Sequence, residues 1–194
     1  MSMNKSDDDK FPCEEEALEL LTKYGVDKNI IEHSKAVCKK ALKIAEKIIQ
    51  KGLATVDIGL ISASALLHDI GRYNENSIRH GVVGGELLRK LGYSSKLARI
   101  VERHVLCGIS ERFAKKFEFP SGKFIPETIE ELIICYADKL VAGKRLVDLK
   151  TRFRAWIRKY GMNPLLDESI RRTKSVEKKV LELMGNYPEK NPNK

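Results

Sequence analysis

Ala65-Leu66-Leu67-His68-Asp69-Ile70-Gly71-Arg72 places an adjacent histidine and aspartate at the end of an apolar stretch. Ile58, Ile61 and Ala65 precede His68 at helical spacing, so the imidazole lies on the stripe that a helix turns toward a core. Asp69, one residue on, is rotated by only about a third of a turn. A helix over residues 57–70 is expected, stopped by Gly71.

The other three histidines of the chain repeat the pattern. His33 is followed by Val37, Ala41, Ile44 and Ile48, His80 leads into Val83, Gly84, Leu87 and Leu91, and His104 closes a run of Leu97, Ile100 and Val101. Asp138 follows Ile134 and Cys135 and precedes Val141. Six polar groups are thus aimed inward from five helices, and each needs a partner, because a buried imidazole or carboxylate left alone is costly. A single histidine on an apolar face is most often a hydrogen-bonded core residue. Six ligand-type residues together point instead to a metal centre, where neutral imidazole supplies nitrogen and carboxylate offsets cationic charge. Mixed nitrogen and oxygen donors suit Mn, Fe, Co, Ni or Zn better than Mg or Ca.

This order and spacing resemble the HD superfamily of metal-dependent phosphohydrolases over about residues 28–145. The segment 65–72 resembles its HDIG motif, His33 the upstream helix histidine, and Tyr136-Ala137-Asp138-Lys139-Leu140 the downstream aspartate helix. The stretches around His80 and His104 resemble a branch of uncharacterised archaeal HDIG proteins and, more loosely, bacterial HD hydrolases of diadenosine tetraphosphate. The resemblance implies two divalent ions: one held by His33, His68, Asp69 and Asp138, the second by His80 and His104, with Asp69 bridging. It also implies hydrolysis of a phosphoester or phosphoanhydride of a nucleotide or other phosphorylated metabolite by metal-activated water. Lys139 is the first candidate for a phosphoryl oxygen and Arg72 the second, with Lys144 and Arg145 further along the same expected helix. Two other classes share the ligands: a di-iron HD-type oxygenase, and a nucleotide-binding regulator without turnover. The cations near the motif favour phosphate.

The remainder of the chain fits an enzyme of this kind. Its 194 residues, 42% hydrophobic, suit one all-α domain over residues 13–185, with tails at 1–12 and 186–194. Helices are expected from Glu14 to about Tyr24, over 27–50, 76–91 and 94–104, and from Glu127 onward, with no strand-like alternation. Residues 106–126 read mostly as a long loop with room for one helical turn, its four phenylalanines suited to covering the site. No apolar run approaches the ~18 residues of a membrane span. Cys13, Cys38, Cys107 and Cys135 form no CxxC pair and read as reduced thiols of a cytoplasmic protein. The formal charge of +9 is confined to residues 139–194, which carry 15 Lys and Arg against 6 Asp and Glu. There Leu146, Leu149, Phe153, Trp156 and Tyr160 form an expected buried stripe, with Lys150, Arg154 and Arg158 elsewhere on the helix. A nucleic-acid surface is one reading of that charge; an ordinary solvated face is preferred. The expected partner is a small phosphorylated substrate, and oligomeric state is not legible.

Overall fold

Leu60 to Leu67 are all buried, which makes their helix the axis of the molecule. The computed structural model describes residues 10–186, and most of these are helical. In chain order the helices are α1 (Glu14–Lys23), α2 (Lys28–Lys51), α3 (Ile58–Leu67), α4 (His80–Lys90), α5 (Ser95–Arg103), α6 (Glu111–Lys116), α7 (Ile129–Lys139), α8 (Leu149–Tyr160) and α9 (Pro164–Leu183). Single turns of 3-10 helix follow α3 (Ile70–Tyr73) and α5 (Val105–Cys107). A helix that is apolar all round must be enclosed, and α3 packs against α1, α2, α5 and α7.

Local sequence sets the helix ends. Asp57 accepts a hydrogen bond from the Leu60 amide, Ser94 from Leu97 and Asn163 from Leu166, each capping a helix start. Thr128 and Glu131 form a reciprocal capping box at the start of α7. Arg103, at the end of α5, is buried and donates to Glu131 at 2.9 Å, which fixes the end of α5 against α7.

The observed ends correct several expectations. The helices bearing His68 and His104 stop one residue short of them, so both histidines sit at helix C-caps, and His80 opens α4. The helix bearing Asp138 ends at Lys139 and does not run on to Arg145. Val141–Ala142 and Arg145–Leu146 instead pair as a two-stranded antiparallel hairpin around Gly143, whose φ of +58° belongs to a turn. A strand pair this short leaves no alternation to read. The tail boundary also moves, since Pro12 is buried, Phe11 packs on the core and the Lys10 carbonyl accepts from Ser94 at 2.8 Å. The rest of the expected tails, 1–9 and 187–194, lies outside the described residues.

Residues 106–126 are more ordered than a loop. Phe113 and Phe124 are buried with Val82 and Ile109 in a second apolar cluster, and Ile109 bridges to Phe124. The C-terminal stripe is only half right: Leu149 and Phe153 are buried, whereas Leu146 is 68% and Tyr160 60% exposed. Leu146 lies on the hairpin, off the helix with which it was expected to align.

Candidate metal centre

All four imidazoles present the same nitrogen inward. His68 Nδ1 lies 2.8 Å from the Ala65 carbonyl, His80 Nδ1 2.6 Å from Ser77, His104 Nδ1 2.7 Å from Val101, and His33 Nδ1 3.0 Å from Gly143. A carbonyl only accepts, so each Nδ1 carries a proton and donates, which turns Nε2, the nitrogen available to a metal, toward the cluster. These carbonyls are the orienting groups that sequence reasoning missed. In three cases the acceptor lies three residues back, a spacing available to a histidine in a last or first helical turn.

The six expected side chains meet. His33 Nε2 is 3.1 Å from Asp138 Oδ1, and His68 Nε2 is 3.6 Å from Asp69 Oδ2 and 3.9 Å from Asp138 Oδ1. Asp69 turns its other oxygen the opposite way, with Oδ1 3.0 Å from His80 Nε2 and 3.5 Å from His104 Nε2. Three overlapping sets have ligand atoms within 4.8 Å of one another: His33, His68 and Asp69; His68, His104 and Asp138; and Asp69, His80 and His104.

The donors fit a divalent metal on the structure's own terms. His80 Nε2 and His104 Nε2 stand 3.2 Å apart with both Nδ1 atoms committed to carbonyls, so the two metal-binding nitrogens converge on one point, an arrangement that a shared cation satisfies. His68 Nε2 and Asp69 Oδ1 are buried without an aligned hydrogen bond. Asp69 Oδ1 does have close nitrogens, including Arg72 Nε at 2.8 Å, but their directions are poor for hydrogen bonding, so proximity does not satisfy it.

Electrostatics prepare the same state. Burial pushes His68 down and His104 down to about 3, keeping both rings neutral and able to ligate. Burial works to raise Asp69 and Asp138, yet the surrounding histidines hold Asp69 well below the usual carboxylate range, and Lys139 with His33 does so for Asp138. His33 differs: burial lowers it, but Asp138 outweighs burial and raises it.

The cluster floors a cavity of about 690 Å³. Arg72 and Lys139 line it as expected, but both are tied to ligands. Lys139 is 3% exposed, ion-pairs with Asp138 and donates to the His104 carbonyl at 3.3 Å. Lys144 and Arg145 do not line the cavity, a correction that follows from the hairpin: Lys144 pairs with Glu32 at 3.5 Å and Arg145 is exposed. Two cations that sequence reasoning passed over do line it. Arg79 donates to the Phe117 carbonyl at 2.9 Å, and Arg152 to the Lys139 and Asp138 carbonyls at 3.1 and 3.2 Å. Leu106 and Phe117 make the segment 106–126 one wall of the cavity.

The HD domain family model matches residues 30–143, the span that holds all six side chains. The chain belongs to the HD family. It is 42% identical over 140 residues to a tRNA (cytidine(56)-2'-O)-methyltransferase of Thermoplasma volcanium, covering 72% of this chain and 40% of that one. It is 40% identical over 149 residues to an uncharacterized protein of Methanocaldococcus jannaschii, covering 77% of this chain and 87% of that protein. Ribonuclease Y of Fusobacterium nucleatum is 30% identical over 129 residues, 66% of this chain and 21% of the ribonuclease. The chain thus spans well under half the length of the methyltransferase and ribonuclease relatives. No solved structure matches it significantly. Membership of the HD family implies divalent-metal binding, and no helix among the described residues is long and apolar enough to cross a membrane.

Proposed function

We propose that the protein is a metal-dependent phosphohydrolase that cleaves a phosphoester or phosphoanhydride of a nucleotide or other phosphorylated metabolite, using two divalent transition-metal ions. The observation that carries this reading is the back-to-back arrangement of Asp69, with Oδ2 toward His68 and Oδ1 toward His80 and His104, at the floor of a cavity walled by cations. His33, His68, Asp69 and Asp138 would hold one ion, and His80, His104 and Asp69 the other. When bound, the ions supply Lewis acidity toward a phosphoryl oxygen and lower the pKa of coordinated water. The protein's part is to orient. The carbonyl-locked imidazoles fix the ligand directions, and Lys139 and Arg152 hold Asp138 by its carboxylate and its carbonyl. Arg72 approaches Asp69 through Nε and has two further nitrogens for a non-bridging phosphoryl oxygen.

The names of the relatives bring RNA-derived phosphodiesters into the range of substrates, and a cavity of about 690 Å³ also has room for a small phosphorylated molecule. Four free cysteines, three of them buried, support a cytoplasmic setting. The test is a screen of phosphorylated metabolites and a short oligonucleotide with chelator-stripped protein reloaded with Mn, Co, Ni or Mg. Metal-dependent product formation that disappears in Asp69→Ala supports the reading. Dioxygen uptake by iron-loaded protein without phosphoester cleavage would replace it with the HD-type oxygenase. Ligand-induced thermal stabilisation without product would replace it with a nucleotide-binding regulator.

A further inference from the structure

The one tryptophan of the chain stands in the cavity wall. Trp156 and Tyr160 are spaced i, i+4 on α8, so their side chains lie on one face of the helix, and both border the cavity. Core packing accounts for only part of that placement, since Trp156 packs beside Phe153 at the edge of the core and still borders the cavity. The core face of α8 is filled by Leu149 and Phe153, while Trp156 is half-buried and Tyr160 is 60% exposed. Helix α8 also lies beyond the residues matched by the family model.

The surroundings say what kind of molecule would use these rings. Lys139 Nζ and the Arg152 guanidinium stand 5.9 and 5.8 Å from the Trp156 ring centroid. Lys139 in turn pairs with Asp138, so the indole is two contacts away from the ligand cluster. Arg72 and Arg79 border the same cavity. A cavity lined by metal ligands, cations and, beside them, a pair of aromatic rings fits an occupant with an anionic head and a planar, unsaturated group joined to it by a short linker. Nucleobases stack on aromatic side chains whatever their sequence, because every base has a π-face.

We infer that Trp156 and Tyr160 form a nucleobase platform, which makes the substrate a nucleoside phosphate in preference to a base-free phosphorylated metabolite. The phosphate end of this assignment rests on the hydrolytic reading above; the base end does not. The lone tryptophan allows the two to be tested apart. Zinc-loaded protein should show saturable quenching of its tryptophan fluorescence by adenosine, which carries a base and no phosphate to cleave, and no quenching by ribose 5-phosphate. Tyr160→Ala should weaken adenosine and adenosine 5'-monophosphate binding about fivefold or more and ribose 5-phosphate binding much less, with an unchanged melting temperature because the side chain is exposed. Tyr160→Phe should retain the affinity, since the ring and not the hydroxyl is used. Absent quenching, or equal affinities in Tyr160→Ala and the parent protein, overturns the platform even if phosphoesters are hydrolysed. Quenching by adenosine without hydrolysis of any phosphate ester keeps the platform and overturns the hydrolase.

Discussion

Asp69 is where loss should be greatest, because its two oxygens face different sets of histidines and no neighbouring carboxylate can replace both. Asp69→Ala is expected to abolish turnover and to reduce bound metal at both positions, read by elemental analysis of the purified variant. His104→Ala should deplete mainly the position shared with His80; full metal content in that variant would return His80 and His104 to a purely structural role. Lys139 carries a different expectation. Its buried ammonium neutralises Asp138, and burial, which would lower its pKa, is outweighed by that carboxylate, which raises it. Removing one partner of a buried pair costs about 3 to 5 kcal/mol, since the other charge is left uncompensated. Lys139→Met should therefore destabilise metal-free protein by roughly that amount, seen in urea unfolding. Added metal should restore much of the loss by taking over the neutralisation of Asp138.

At the scale of elements, the ligand stripe was legible because histidine on an apolar helical face is rare and repeated five-helix order is rarer. The helix ends were less legible, because the termination of α3 depends on what approaches it. Gly71 permits that approach: a Cβ there would overlap the carbonyl oxygen of His80 and stand 2.6 Å from the Gly84 amide. A glycine read from sequence as a stop is thus also the contact surface for the first turn of α4. Gly71→Ala should cost about 2 kcal/mol or more, because the obstruction is backbone and cannot rotate away, and should displace His80. A fall in melting temperature together with loss of one metal equivalent is the expected result. The hairpin after α7 was invisible to periodicity, since two residues per strand carry no alternation, and it decided the fate of Lys144 and Arg145. The further cations that border the cavity beside Arg72 and Lys139, namely Arg79 and Arg152, come from elements whose neighbours are set only by tertiary packing.

For the whole molecule, the depressed histidines set the acid side of stability. An unfolded histidine titrates near 6.5, whereas folded His104 holds out to about 3. Between those values the unfolded chain binds more protons, so stability is fully present above about pH 6.5 and falls as pH drops through the window. His68 acts in the same direction, and so do Asp69 and Asp138, whose contributions are lost at still lower pH. His33 opposes them: its raised value contributes stability below about pH 6.5 that is lost as pH rises through its folded value. Denaturation midpoints of metal-free protein should fall between about pH 7 and pH 4.5; a rise over that range would contradict the buried, neutral state of His68 and His104. The wide separation of the ligands has one more consequence. His33 and Asp138, 105 residues apart in sequence, touch only after α2 and α7 have docked. During synthesis, Asp69, His80 and His104 have all emerged before α7 leaves the ribosome, whereas the position built on His33 and Asp138 waits for it, so the two ligand sets are completed at different stages of the chain's release.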